Sequence, residues 1–157
     1  MELLEGKTLG IIGSGAIGEK VARMGHSLGM KIIISPMIRI DKVRSLSFEE
    51  YAKVTELDYL LENSDVVSIH TRVEKGKKYL IDTEELSVMK STAILINTAR
   101  GKLLNEEALY NSLVSGKISG AALDVFELEP IREKNKLKRL HNVILTSHNC
   151  LLYTSPS

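Results

Sequence analysis

The sequence predicts an α/β fold: a doubly wound parallel sheet with helices on both faces. Three observations carry this. Short, wholly apolar runs recur along the chain, stretches of helical periodicity separate them, and a glycine-rich turn joins the first run to the first helix. Strands covered on both faces read as continuous apolar runs rather than as alternating ones. The 157 residues, 43% of them hydrophobic, suit one domain with a real core. A formal net charge of +1 gives no electrostatic argument for nucleic acid as a partner. No apolar run approaches the roughly 20 residues of a membrane span, and no signal peptide opens the chain. A membrane partner is therefore not expected, and the composition predicts a cytoplasmic protein. Cys150, the only cysteine, excludes an internal disulfide.

Each element has a local reason. Thr8 to Ile12 is a short buried-strand pattern closed by glycines. Ala16 to Leu28 carries Ile17, Val21, Met24 and Leu28 at helical spacing, with Gly29 as its stop. Lys31 to Ser35 is a β-branched strand ended by Pro36. Met37 to Glu56 is the least regular stretch, and its Ser47-x-x-Glu50 capping box is expected to start a short helix. A small helix at Leu57 to Glu62 precedes a strand at Val66 to His70. Asp82-x-x-Glu85 caps a helix ending near Met89, Ala93 to Asn97 is a strand, and Asn105 caps a helix through Ser115. Gly120 to Asp124 and Val143 to Thr146 are the last strands, with the basic run Arg132 to Arg139 expected as a solvated loop between them.

Between the first strand and first helix lies Gly13-Ser14-Gly15-Ala16-Ile17-Gly18, a G-x-G-x-x-G pattern. Gly13 permits a tight turn, Gly15 lets a pyrophosphate approach the backbone, and Gly18 lets helix and strand pack closely. The helix N-terminus then offers free N–H groups to the phosphates. In this strand–loop–helix setting the pattern predicts dinucleotide binding in a Rossmann-type sheet. An acidic residue at the end of the second strand would hold the ribose hydroxyls, but that position is Ser35. Arg39, Lys42 and Arg44 lie close by, beside Asp41, and could suit a 2′-phosphate. NAD and NADP both stay open on this reading.

Ligands in such sheets sit beyond the carboxyl ends of the strands, and the suggestive polar residues fall there. His70-Thr71-Arg72 follows one strand, Thr98-Ala99-Arg100-Gly101 another, Asp124 closes a third and His148 follows the last. Together with Gly6-Lys7-Thr8-Leu9-Gly10-Ile11, Ser64-Asp65-Val66-Val67-Ser68-Ile69-His70, Ile94-Leu95-Ile96-Asn97 running into Thr98, Gly120-Ala121-Ala122-Leu123-Asp124-Val125-Phe126, Glu129-Pro130 and Asn142-Val143-Ile144-Leu145-Thr146-Ser147-His148, these segments resemble the D-isomer-specific 2-hydroxyacid dehydrogenases.

The resemblance implies a catalytic set of Arg100, Glu129 and His148. Arg100 resembles the arginine that grips the substrate carboxylate and carbonyl with its planar fork of donors. His148 resembles the general acid/base, and Glu129 the carboxylate that pairs with it and favours imidazolium. Asp124 resembles the residue on the nicotinamide side. Ala16, Ile17, Thr71, Thr98 and Ala99 resemble the lining of the cofactor groove, which also takes in Arg100 and His148. The implied substrate is a 2-hydroxy or 2-keto acid, the implied assembly a homodimer, and no metal is implied. A regulatory module that senses NAD(H) is the alternative from another class. Three positions depart from the family: Ser35 for the acidic residue, Arg72 where a proline is common, and Ser147 for the proline before the histidine.

In that family a substrate domain is built from both chain ends around the cofactor domain, so residues 1–149 are expected to be the dinucleotide-binding domain, without its substrate domain. Residues 150–157, from Cys150 to Ser157, back-translate as TGT CTC TTA TAC ACA TCT CCG AGC, which resembles a transposase sequencing adapter. That tail is expected not to be native.

Overall fold

The computed structural model describes residues 3–37, 50–72 and 78–148. Seven parallel strands form one sheet: β1 (Thr8–Ile12), β2 (Lys31–Ser35), β3 (Ala52–Val54), β4 (Val66–Ile69), β5 (Ile94–Asn97), β6 (Gly120–Leu123) and β7 (Val143–Leu145), in the spatial order β3-β2-β1-β4-β5-β6-β7. The helices are α1 (Ala16–Ser27), α2 (Leu57–Asn63), α3 (Thr83–Val88) and α4 (Glu106–Val114). The order reverses direction between β1 and β4, which puts the switch point beside the glycine loop.

The period of two along each strand sorts side chains to the two faces. Leu9 and Ile11 of β1 join Ile32 and Ile34 of β2 in one cluster, under Ala22 of α1. Ile12 and Ile33 point the other way, into a larger cluster with Leu60, Leu61, Leu86 and Leu109 from α2, α3 and α4. Each such side chain removed from water stabilises the fold by about 1.5–3 kcal/mol before entropy is charged against it. Asp65 ties the start of the sheet together. Its carboxylate accepts from the Thr8 amide at 2.8 Å and from Lys90 Nζ at 3.0 Å. Burial would raise its pKa, but the Thr8 hydrogen bond and Lys90 bring it below the ordinary value.

Helix α1 packs through its small residues. Gly18, Ala22 and Gly25 are buried, and a Cβ at Gly25 would crowd Leu9 and Ile32. Of the apolar stripe that marks the helix in sequence, Val21 packs against the cluster of Leu9 and Ile32, while Ile17, Met24 and Leu28 turn outward and are 67%, 66% and 56% exposed. Asp82 and Glu85 form the expected capping box at α3, and Asn105 caps α4 through the Glu107 and Ala108 amides.

Two expectations are corrected. The irregular stretch after Pro36 contains the edge strand β3, which pairs Ile32, Ile33 and Ile34 with Ala52, Lys53 and Val54; three residues are too few to leave a pattern. The basic run is not wholly a solvated loop, since Lys136–Arg139 forms a 3-10 turn that buries Leu137. The helix expected from Ser47, the residues Arg39, Asp41, Lys42 and Arg44, and the tail with Cys150 lie outside the described residues.

Candidate cofactor and proton-transfer site

Register aligns the carboxyl ends of the strands. Ile12 lies beside Ser35 and Ile69, Ile69 beside Asn97, Asn97 beside Leu123, and Leu123 beside Leu145. The residues that follow form one row: Gly13, His70, Thr98, Asp124 and Thr146.

At the switch point the glycine loop is set by what a side chain would strike. Gly13 has φ +106° and its missing Cβ would run into the His70 carbonyl, with the Thr71 amide at 3.0 Å. A Cβ on Gly18 would run into the Gly13 carbonyl. Gly15 is different: a Cβ there would meet nothing within 4 Å. Among the described residues no packing calls for a glycine at that position; the close approach of a ligand would. No side chain caps α1, and the amides of Ala16, Ile17 and Gly18 have no acceptor within the helix. An open cradle with amide donors fits a dinucleotide's phosphates.

Ser35 is 4% exposed, and its carbonyl accepts the Gly13 amide at 2.7 Å. Among the described residues its hydroxyl reaches only Met37 Sδ, at 4.0 Å. Its visible role is to hold the glycine loop. His70 is half-buried, with Nε2 at 2.8 Å from Ser68 Oγ, and burial holds its pKa below the ordinary value. Thr71 is half-buried against Gly13, and Arg72 is exposed.

After β5 the buried Asn97 shapes the next turn. Its Oδ1 accepts from the Ala99 amide at 3.1 Å and its Nδ2 donates to the Arg100 carbonyl at 3.0 Å. Thr98 and Arg100 are thereby left exposed, with Ala99 half-buried between them. The Arg100 guanidinium folds back onto the Ala99 carbonyl at 2.6 Å. Gly101 lies so close to the Phe126–Glu127 backbone that no Cβ fits.

The final cluster joins two loops. Glu129 accepts the Phe126 amide on Oε1 at 3.0 Å, and its Oε2 lies 2.8 Å from His148 Nδ1. An ionised carboxylate only accepts, so this contact places a proton on Nδ1. The hydrogen bond from His148, then that from Phe126, hold the Glu129 pKa below its ordinary value. Asp124 Oδ1 accepts from the Thr146 hydroxyl and from the His148 amide at 3.0 Å. Its Oδ2 is buried and has no partner among the described residues, an acceptor suited to a ligand amide.

The structure thus brings Glu129, His148 and Asp124 together, with Arg100 on the turn after β5 and, among the described residues, without a bond to them. Asn97, Ser68, Gly101 and Thr146 also shape the site and were not singled out in sequence. Asn97 alone carried a signal, as a turn-forming residue closing a strand. Among the described residues no group of three His, Cys, Asp or Glu side chains is arranged for a metal ion, and no helix is long and apolar enough to cross a membrane.

Residues 1–150 match the family described as D-isomer specific 2-hydroxyacid dehydrogenase, NAD binding domain. A glyoxylate reductase of Korarchaeum cryptofilum is 45% identical over 145 residues, 91% of this chain and 42% of that protein. The chain therefore spans well under half of that relative's length. Among solved structures, an NAD-complexed D-isomer specific 2-hydroxyacid dehydrogenase from Lactobacillus delbrueckii ssp. bulgaricus superposes with a TM-score of 0.82 at 30% identity, covering 94% of this chain and 48% of that one. The D-mandelate dehydrogenase of Rhodotorula graminis gives 0.84 at 34% identity, covering 94% and 42%. The match over residues 1–150, the shared fold and the open glycine cradle agree, and the chain belongs to the D-isomer-specific 2-hydroxyacid dehydrogenase family as its NAD-binding domain.

Proposed function

We propose that this chain is the cofactor half of an NAD(P)-dependent D-2-hydroxyacid dehydrogenase that interconverts a 2-hydroxy acid and a 2-keto acid. The observation that carries this is the His148–Glu129 contact of 2.8 Å, in loops at the same carboxyl edge of the sheet as the open cradle at Gly15. Gly13, Gly15, Gly18 and the amides of Ala16 and Ile17 hold the pyrophosphate, Thr71, Thr98 and Ala99 line the groove, and Asp124 Oδ2 accepts from the nicotinamide side. The bound dinucleotide supplies or accepts the hydride.

The chain's own residues handle the proton and the substrate. With Nδ1 held by Glu129, His148 presents Nε2 to the substrate oxygen. In reduction it gives that oxygen a proton, and in oxidation it takes the proton from the hydroxyl. Arg100 leaves the Ala99 carbonyl to hold the substrate carboxylate with two parallel donors. Ser35 brings no carboxylate to repel a 2′-phosphate, so NADPH is admitted alongside NADH. The exposed Met24 of α1 and Leu28 just after it support assembly as a homodimer.

The test is a chimera in which residues 1–148 replace the matching segment of the Korarchaeum cryptofilum glyoxylate reductase. NADH-dependent reduction of 2-keto acids is expected, with H148Q lowering kcat by about 10²–10⁴-fold and leaving NADH affinity intact. A folded, NADH-binding chimera that reduces no 2-keto acid would overturn the reading and favour an NAD(H)-sensing role.

A further inference from the structure

We infer that Asp124 and Thr146 form a clasp that positions His148, so that the histidine's placement depends on a side-chain bracket across two strands as well as on Glu129. The inference builds on the reading of His148 as the proton carrier. Its anchor points are fixed by the sheet: the Asp124 amide donates to the Asn97 carbonyl at 3.0 Å, and the Thr146 amide donates to the Leu123 carbonyl at 3.0 Å. One oxygen, Asp124 Oδ1, then accepts from both the Thr146 hydroxyl and the His148 main-chain amide. The residue between these donors, Ser147, is exposed and brings no ring to restrict its φ. Yet His148 has φ +54°, a left-handed conformation that a non-glycine residue keeps only when its surroundings hold it.

The two holds act on different parts of the residue. Glu129 fixes the ring through Nδ1, and Asp124 fixes the backbone that carries it. Without the backbone hold, residue 148 relaxes toward negative φ and the ring leaves Glu129. Asp124 therefore has one oxygen for this chain's own loop, while Oδ2 keeps no partner among the described residues. Thr146 contributes by orienting Oδ1, and it serves as a positioning residue because it acts on the reaction only through the carboxylate and the histidine.

The test uses this chain labelled with nitrogen-15, with amide hydrogen exchange and the His148 ring nitrogen shifts as readouts. The T146V variant is expected to speed exchange of the His148 amide by about tenfold and to move the Nδ1 signal away from its Glu129-bonded value. T146S, which keeps the hydroxyl, is expected to restore both. D124A removes the acceptor itself and should raise exchange further, with the amides of β5 and β6 unchanged as the control for folding. An unprotected His148 amide in the unaltered chain, or T146V exchange equal to it, would overturn the clasp. These readouts need no turnover: an inactive chimera would count against the dehydrogenase reading and leave the clasp standing.

Discussion

The glycine loop and the His148 loop are built on opposite principles. At the first, geometry follows from exclusion: Gly13 and Gly18 sit where any Cβ would strike a carbonyl. At the second, geometry follows from attraction. Two carboxylates, Asp124 and Glu129, collect the amides and ring nitrogen that fix His148. The first arrangement rests on backbone contacts and tolerates no side chain at Gly13 or Gly18. The second accepts many neighbours but depends on charge and on hydrogen bonds to His148 whose partners lie 19 and 24 residues away.

Substitutions should separate the two. The largest effect is expected for G13A, which forces a Cβ into the His70 carbonyl at φ +106°. A loss of about 2–4 kcal/mol in urea denaturation is expected, and a wild-type midpoint would break the exclusion argument. G15A should do the reverse: φ is −74° there and the space is empty, so stability should change by less than about 0.5 kcal/mol. NADH affinity should nonetheless fall by about tenfold or more, since the Cβ occupies the pyrophosphate's approach.

The pH dependence sharpens the other side. Glu129 has a folded pKa below its ordinary value of 4.5, so its contribution is present above about that pH and is lost as pH falls through the lower folded value. E129Q should flatten this part of the acid limb in thermal melts. The pair is partly exposed, which keeps the effect below about 1 kcal/mol. His70 behaves differently. Burial lowers its folded pKa, the unfolded chain binds the proton first, and stability falls as pH drops below 6.5. H70Q should remove that component, the smallest change of the series, and a slope unchanged from wild type would contradict the assigned cause.

The same contrast explains what could be read from the amino-acid order. The glycine loop was legible because each requirement is local: a turn, an approach and a packing contact are met by three glycines within six residues, Gly13 to Gly18. The parallel α/β class was legible from the apolar runs. Strand β3 was not, because three edge residues with a half-exposed pattern leave no periodic signal. The stripe of α1 misleads for a physical reason: Gly18, Ala22 and Gly25 let the helix lie close to the sheet, so Val21 alone of the stripe packs against the core and Ile17, Met24 and Leu28 are left facing away. Arg100, Glu129 and His148 are catalytic candidates named through family resemblance alone. The Asp124–Thr146 bracket was not, because it joins residues 22 apart that become neighbours only when β6 and β7 pair.

The most direct test of the central claim is a fluorescence titration of NADH into this chain and into its G15A variant, repeated with NADPH. Saturable binding of both dinucleotides by the unaltered chain is expected, with at least about tenfold weaker binding by G15A at unchanged stability. Absence of saturable binding, or equal affinity in the two proteins, would contradict it.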